Sequence, residues 1–256
     1  MDRKELIEKI TQKKEFSELP KKDVELAFEK FDKPRNADYQ KLKLTRQFLR
    51  KIYSSFASRK LFGAKRKSVD WILSKHKSTK ERLPYYEEIY KRIFGGLAGK
   101  EISVIDLGAG VNGFSYGFFG SKKINYVGVE AVGQLVELSN CFFRDRKING
   151  KAYHLSLFEI EEIKELIKKQ KKPRVIFLFK VIDSLEVVER DFSKKLLKEI
   201  VPLAERVALS FATRSLGRQS KFGAQRSWLK RFIEENFVIL DNFEFGGERY
   251  FIFSEK

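Results

Sequence analysis

No apolar run in the 256-residue chain approaches twenty residues, although 42% of it is hydrophobic, and this excludes a membrane-spanning helix. There is a single cysteine, Cys141. An internal disulfide is therefore impossible, and a reducing compartment such as the cytoplasm is expected. The opening MDRKELIEKI is charged from its second residue and lacks the apolar stretch of a secretion signal. Only two histidines are present, and no metal site is expected.

Acid is scarce in one region above all. Residues 41–80 hold thirteen Lys and Arg against one acidic residue, Asp70, whereas residues 101–256 hold 26 against 21. The formal net charge is +18. A solvated face is the plainer reading of any single lysine. Like charges gathered on helices repel one another, however, and are tolerated mainly beside a polyanion, so a nucleic-acid partner is expected. The docking candidates are Arg46, Arg50, Lys51, Arg59, Lys60, Lys65, Arg66, Lys67, Lys75 and Lys77.

The hydrophobic period divides the chain. Residues 1–98 read as successive helices, with Val24, Ala27, Phe28 and Phe31 on one face and Tyr86, Ile89, Tyr90 and Ile93 on another. From 99 to 256, apolar runs at 102–107, 126–129, 175–179 and 207–211 alternate with helical patterns, which predicts an α/β fold with a buried parallel sheet. The last two strand-like runs flank Gly246-Gly247, a hairpin signature, so the sheet should finish with an antiparallel pair. A helical docking domain followed by a catalytic domain is expected.

The run SVIDLGAGVNGFSYG carries Gly108-x-Gly110-x-x-Gly113 at the end of the first strand, where open parallel sheets bind ligands. This spacing suits a nicotinamide dinucleotide or S-adenosylmethionine (SAM). Gly113, Gly117 and Gly120 crowd the following segment, and each costs a helix about 1 kcal/mol relative to Ala. A poor helix is a poor pyrophosphate seat, and SAM has no phosphate. Asp106 stands where a carboxylate can face the ammonium of the methionine moiety. Glu130, closing the next strand, can accept from both ribose hydroxyls or simply begin a helix. SAM is the expected cofactor, and an NAD(P)-dependent oxidoreductase is the rival.

Four blocks, LSKHKSTKERLPYYEEIY (73–90), VIDLGAGVN (104–112), FLFKVIDSLE (177–186) and SFATRSLG (210–217), resemble the aminoglycoside-resistance 16S rRNA guanine-N7 methyltransferases (FmrO/ArmA/Rmt-like). The resemblance runs from about residue 45 onward. It implies a class I SAM-dependent methyltransferase core of Rossmann-like type, a helical RNA-docking domain, and a monomeric enzyme acting on the decoding site of 16S rRNA in the small subunit. Methylation of another rRNA or tRNA nucleotide, or non-catalytic RNA binding, are the alternatives. The implied cofactor residues are Arg82, Asp106, Gly108, Ala109, Gly110, Glu130, Ser156, Leu157 and Phe179. Arg82 would pair with the methionine carboxylate, and Ser156 and Leu157 would cradle adenine. Phe179, Lys180 and Arg214 would position the target, with Thr213, Arg214, Ser215 and Arg218 near RNA. Ser78-x-x-Glu81 also matches a helix capping box. The family commonly has Cys at Ala109, Pro at Gly113 and Ala212, and Gly at Arg218.

Overall fold

A computed structural model describes residues 2–54, 59–97, 99–121, 123–213 and 226–256. Among the described residues, six α-helices precede the first strand: α1 (Arg3–Thr11), α2 (Lys21–Glu29), α3 (Asp38–Leu49), α4 (Val69–Lys75), α5 (Lys77–Arg82) and α6 (Tyr86–Ile93). Asp2 and Glu5 form a reciprocal capping box at the start of α1. Of the predicted face Val24, Ala27 and Phe28 are buried in α2, whereas Phe31 lies beyond the helix and is half-buried. α3 runs directly into a π-helical turn, Arg50–Ser54, a geometry that in helices frequently marks a functional site.

The strands are β1 (Ile102–Leu107), β2 (Ile124–Glu130), β3 (Gly150–His154), β4 (Arg174–Phe179), β5 (Arg206–Ala212), β6 (Val238–Phe245) and β7 (Glu248–Ser254). They form one sheet in the order β3-β2-β1-β4-β5-β7-β6. The first five are parallel; β7 runs antiparallel between β5 and β6. This is the sheet of class I SAM-dependent methyltransferases, with the closing hairpin the sequence predicts. Its final strand, unlike a plain Rossmann arrangement, is inserted rather than added at the edge. β1 is followed by a 3-10 helix, Asn112–Phe119, in place of a firm α-helix.

Strand periodicity sends alternate side chains to two buried layers. Ile105, Leu107, Ile176, Leu178, Val207 and Leu209 meet α8 (Ile160–Lys168), α9 (Ile182–Val188), α10 (Phe192–Ile200) and α11 (Ser227–Asn236) in one layer. Val104, Val175, Phe177, Ala208 and Tyr250 meet α6, the 3-10 segment and α7 (Gly133–Asp145) in the other. That second layer is aromatic. Tyr90 lies 4.4 Å from Phe119 and 5.9 Å from Phe177 between ring centroids, contacts worth about 0.5–1.5 kcal/mol each beyond area burial. Its buried cluster continues without interruption to Leu6, Phe16 and Phe28 of the N-terminal helices.

Candidate active site

A cleft opens at the carboxyl ends of β1, β2, β3 and β4, the edge at which open parallel sheets bind ligands. Its floor is the turn after β1. The Gly108 and Ala109 N–H groups both donate to the Val129 carbonyl at 2.9 Å, pinning the turn against β2. Gly108 and Gly110 adopt φ of +76° and +53°, in the region that favours glycine. A Cβ on Gly108 would stand 2.7 Å from Val181 Cγ2, and one on Gly110 would stand 2.9 Å from His76 Nε2. The third glycine serves packing instead, since a Cβ at Gly113 would meet Phe143 Cζ at 2.7 Å. Ala109 is buried beside this turn.

Glu130 closes the cleft from β2. Its Oε2 accepts from the Gly110 N–H and its Oε1 from the Val132 N–H, each at 2.8 Å. Burial raises its pKa, and these backbone donors oppose the rise. Leu157 and Phe158 border the cleft after β3, and Phe179, Lys180 and Val181 after β4. The N-terminal helices supply Asp23, Ile52, Tyr53, His76 and Ser78. Burial, with help from the Arg82 and Lys180 charges, pushes the His76 pKa down to about 3, so its imidazole is neutral at physiological pH.

Behind the Phe179 wall lies a compact group of charges. Arg82 ends α5, is 3% exposed, and stacks its guanidinium over the Phe179 ring. Its Nε donates to both Glu248 oxygens, at 3.0 and 3.1 Å. Lys180 reaches Glu248 Oε2 at 3.0 Å and also bonds Glu81. Ser210 donates its hydroxyl to Glu248. The pairing of Arg82 with Glu248 differs from the carboxylate-of-SAM assignment. One nitrogen remains: Arg82 Nη2 is buried without a hydrogen-bond partner. Ser78 and Glu81 form no capping box, because α5 begins at Lys77 with His76 as its N-cap.

Asp106 also sits differently from the expectation that it faces a ligand's ammonium. It shares the face of Val104, and its Oδ2 accepts from Asn112 Nδ2 at 2.7 Å and Tyr126 OH at 2.6 Å. Strand alternation is the reason: position 106 points into the aromatic layer, and Asp106 does not line the cleft. Ser156 is fully buried and its hydroxyl accepts from the Phe158 N–H, so Leu157 alone of the expected adenine pair lines the cleft.

The basic candidates separate. Arg46 donates to the Lys9 carbonyl and Arg50 to the Glu15 carboxylate, so both also brace the N-terminal helices. Lys51, Lys60, Arg66 and Lys67 are exposed. Lys65, also exposed, pairs with Glu137 at 2.6 Å. Lys67 and Lys75 flank the Trp71 ring at 5.6 and 5.3 Å, and Lys77 is half-buried. Thr213 bonds Glu244 at 2.8 Å. The Arg59 side chain and all of Arg214, Ser215 and Arg218 lie outside the described residues. Sequence reasoning missed Asp23, Tyr53 and Glu248, which stand in no local motif, and Asn112, which lies within the glycine motif but was given no role.

The family model described as ribosomal RNA methyltransferase (FmrO) matches residues 46–248. The chain is 30% identical over 151 residues to a 16S rRNA (guanine(1405)-N(7))-methyltransferase of Frankia casuarinae, covering 57% of this chain and 49% of that protein. It thus matches about half the length of that relative. Among solved structures, the 16S rRNA methyltransferase RmtF in complex with S-adenosyl-L-homocysteine has a TM-score of 0.83, at 21% identity over 100% of both chains. The 16S rRNA methylase RmtB has a TM-score of 0.79, at 19% identity over 100% of this chain and 99% of that one. An rRNA methylase from Escherichia coli has 0.79, at 19% identity over 100% of both. At these identities the structures share the fold.

Proposed function

The chain belongs to the ribosomal RNA methyltransferase (FmrO) family, and from that premise we propose that it moves a methyl group from SAM to N7 of a decoding-site guanine in 16S rRNA. The substrate is the small ribosomal subunit, the enzyme acts as a monomer in the cytoplasm, and aminoglycoside resistance is the expected consequence. The observation that carries the reading is the cleft itself. A glycine turn and a carboxylate meet there at the carboxyl edge of a parallel sheet, and the glycine turn leads into a 3-10 helix rather than an α-helix whose N-terminus could seat a pyrophosphate. That last feature favours SAM over a dinucleotide.

The residues fit the donor. At Gly108 and Gly110 the bare backbone lines the cleft where a Cβ would collide with Val181 or His76, Glu130 suits a ribose diol, and Leu157 suits the apolar face of adenine. The unpartnered Nη2 of Arg82 is a donor for the methionine carboxylate, with Glu248 fixing the rest of the guanidinium. When bound, SAM supplies a sulfonium-activated methyl group. The chain's own residues hold and orient. Guanine N7 carries a lone pair and no proton, so no general base is required, in keeping with a His76 held neutral. Orientation of two reactants can contribute roughly 7–11 kcal/mol to such a displacement. Phe179 and Lys180 border the cleft where the target base would enter, and Lys180 is held there by Glu81 and Glu248. N7 is awkward to reach within an A-form helix, so the base is remodelled or extruded. Docking falls to the exposed Lys51, Lys60, Lys65, Arg66 and Lys67.

Radiolabelled methyl transfer to small subunits, followed by primer extension, tests the proposal. Modification should map to one decoding-site guanine, and the label should be absent without SAM. No transfer to subunits or to their naked RNA would overturn it. Binding to the subunit should weaken with salt, with a log–log slope of about −0.7 to −0.9 per phosphate contacted.

A further inference from the structure

One carboxylate in the cleft takes no part in the reading above. Asp23 belongs to α2, is 2% exposed, and lines the cleft. Its Oδ1 accepts from the Tyr53 hydroxyl, but its Oδ2 is buried without a hydrogen-bond partner. It joins no ion pair among the described residues. Buried polar atoms in folded proteins nearly always have a partner, and an exception calls for an explanation. Here the bare oxygen belongs to the lining of a cleft, so a ligand can complete it. The residue is also outside the stretch matched by the family, which begins at residue 46.

The ligand group must be a hydrogen-bond donor, because an ionised carboxylate only accepts. Burial raises the Asp23 pKa, while the nearby hydroxyls of Ser156 and Tyr53 hold it down. Those neighbours also locate it. Ser156 follows β3, whereas Glu130 ends β2 and already receives two backbone N–H groups. In the donor reading, which this inference rests on, Glu130 is the carboxylate beside the ribose. Asp23 lies near Ser156, and the next residue, Leu157, lines the same cleft as the proposed adenine contact. The one donor on the rim of adenine is its exocyclic amine.

We propose that Asp23 reads the exocyclic amine of the SAM adenine through Oδ2, with Tyr53 fixing the carboxylate. The N-terminal helical region then completes the donor site as well as docking RNA. Two sequence-distant pieces make this possible: α2 carries Asp23, and the π-helical turn after α3 presents Tyr53.

Calorimetry with S-adenosylhomocysteine and its deaminated analogue, S-inosylhomocysteine, tests the assignment. The analogue places a carbonyl where the amine was, so two acceptors would face each other. Wild-type protein should prefer the adenosyl compound by on the order of 100-fold or more. Asp23→Asn can donate to the carbonyl, so it should bind the adenosyl compound about tenfold more weakly and lose most of the preference. Equal binding of the two compounds by wild type overturns the assignment without using any variant. So does an Asp23→Asn protein that melts like wild type and keeps the full preference. Wild type that binds neither compound overturns the donor reading itself, and this inference with it.

Discussion

At one end of the cleft two cations meet two carboxylates; at the other, two carboxylates meet none. Arg82 and Lys180 share Glu248, and Lys180 also holds Glu81, so the charges behind Phe179 cancel and nearly every polar atom there is used. Asp23 and Glu130 have only hydroxyl and backbone donors, burial raises both pKa values, and neighbouring carboxylates add to the rise, Glu159 at Asp23 and Asp23 at Glu130. The first arrangement lacks a partner only at Arg82 Nη2, and it ties the last strand to α5. The second is incomplete and is relieved only by what enters. Stability should therefore depend more on the charged end than on the Asp23–Glu130 end.

The comparison breaks most visibly at Glu248. Glu248→Gln leaves Arg82 without its buried counter-charge and should cost about 3–5 kcal/mol in urea unfolding. A loss below 1 kcal/mol would mean that the cluster is solvated. Arg82→Met should be similarly costly alone. Combined with Glu248→Gln it should cost less than the sum, and the double-mutant cycle should return a coupling of about 1–3 kcal/mol. The double variant should still fail to bind S-adenosylhomocysteine, which separates fold from binding at this end.

The opposite end should respond in the reverse sense. Glu130→Gln should weaken S-adenosylhomocysteine binding by about tenfold in calorimetry, yet shift unfolding by less than about 1 kcal/mol. The pH dependence carries a definite sign. A carboxyl whose pKa is raised by folding binds protons more tightly in the native state, so the stability it contributes below about pH 4 is lost as pH rises through its folded pKa. A variant with Asp23→Asn and Glu130→Gln should lose less stability than wild type as pH climbs from about 4 to 7. A steeper decline in the variant would reverse the assignment of these two groups. This is the smallest effect expected, and melting curves at matched ionic strength would resolve it.

What the sequence made legible follows from how local each signal is. Gly108, Gly110 and Glu130 were readable because a glycine turn after an apolar strand has few uses, and all three line the cleft. The sheet and its hairpin were readable from period and from Gly246-Gly247. Asp106 was misplaced because a two-residue period decides its face, and the motif alone does not say which face holds ligand. Glu248 was invisible: its partner Arg82 is 166 residues away, and nothing near it marks a buried carboxylate on an apolar strand. Asp23 was hidden by its own helix, whose face reads as Val24, Ala27 and Phe28, with Lys21 and Lys22 just ahead of it. Arg46 and Arg50 look like their basic neighbours, and only the positions of Lys9 and Glu15 show that they also brace the N-terminal helices.

The place of β7 inside the sheet has a consequence for the order of assembly. Arg82 and Lys180 are made long before Glu248, and during synthesis both would sit at the edge of the unfinished sheet with their shared anion still missing. Packing them dry at that stage would be strongly disfavoured, so the charged corner should stay wet until β7 slides in beside β5. Ribosome-bound chains halted ahead of that strand should accordingly remain protease-sensitive around α5, however complete the parallel strands already are.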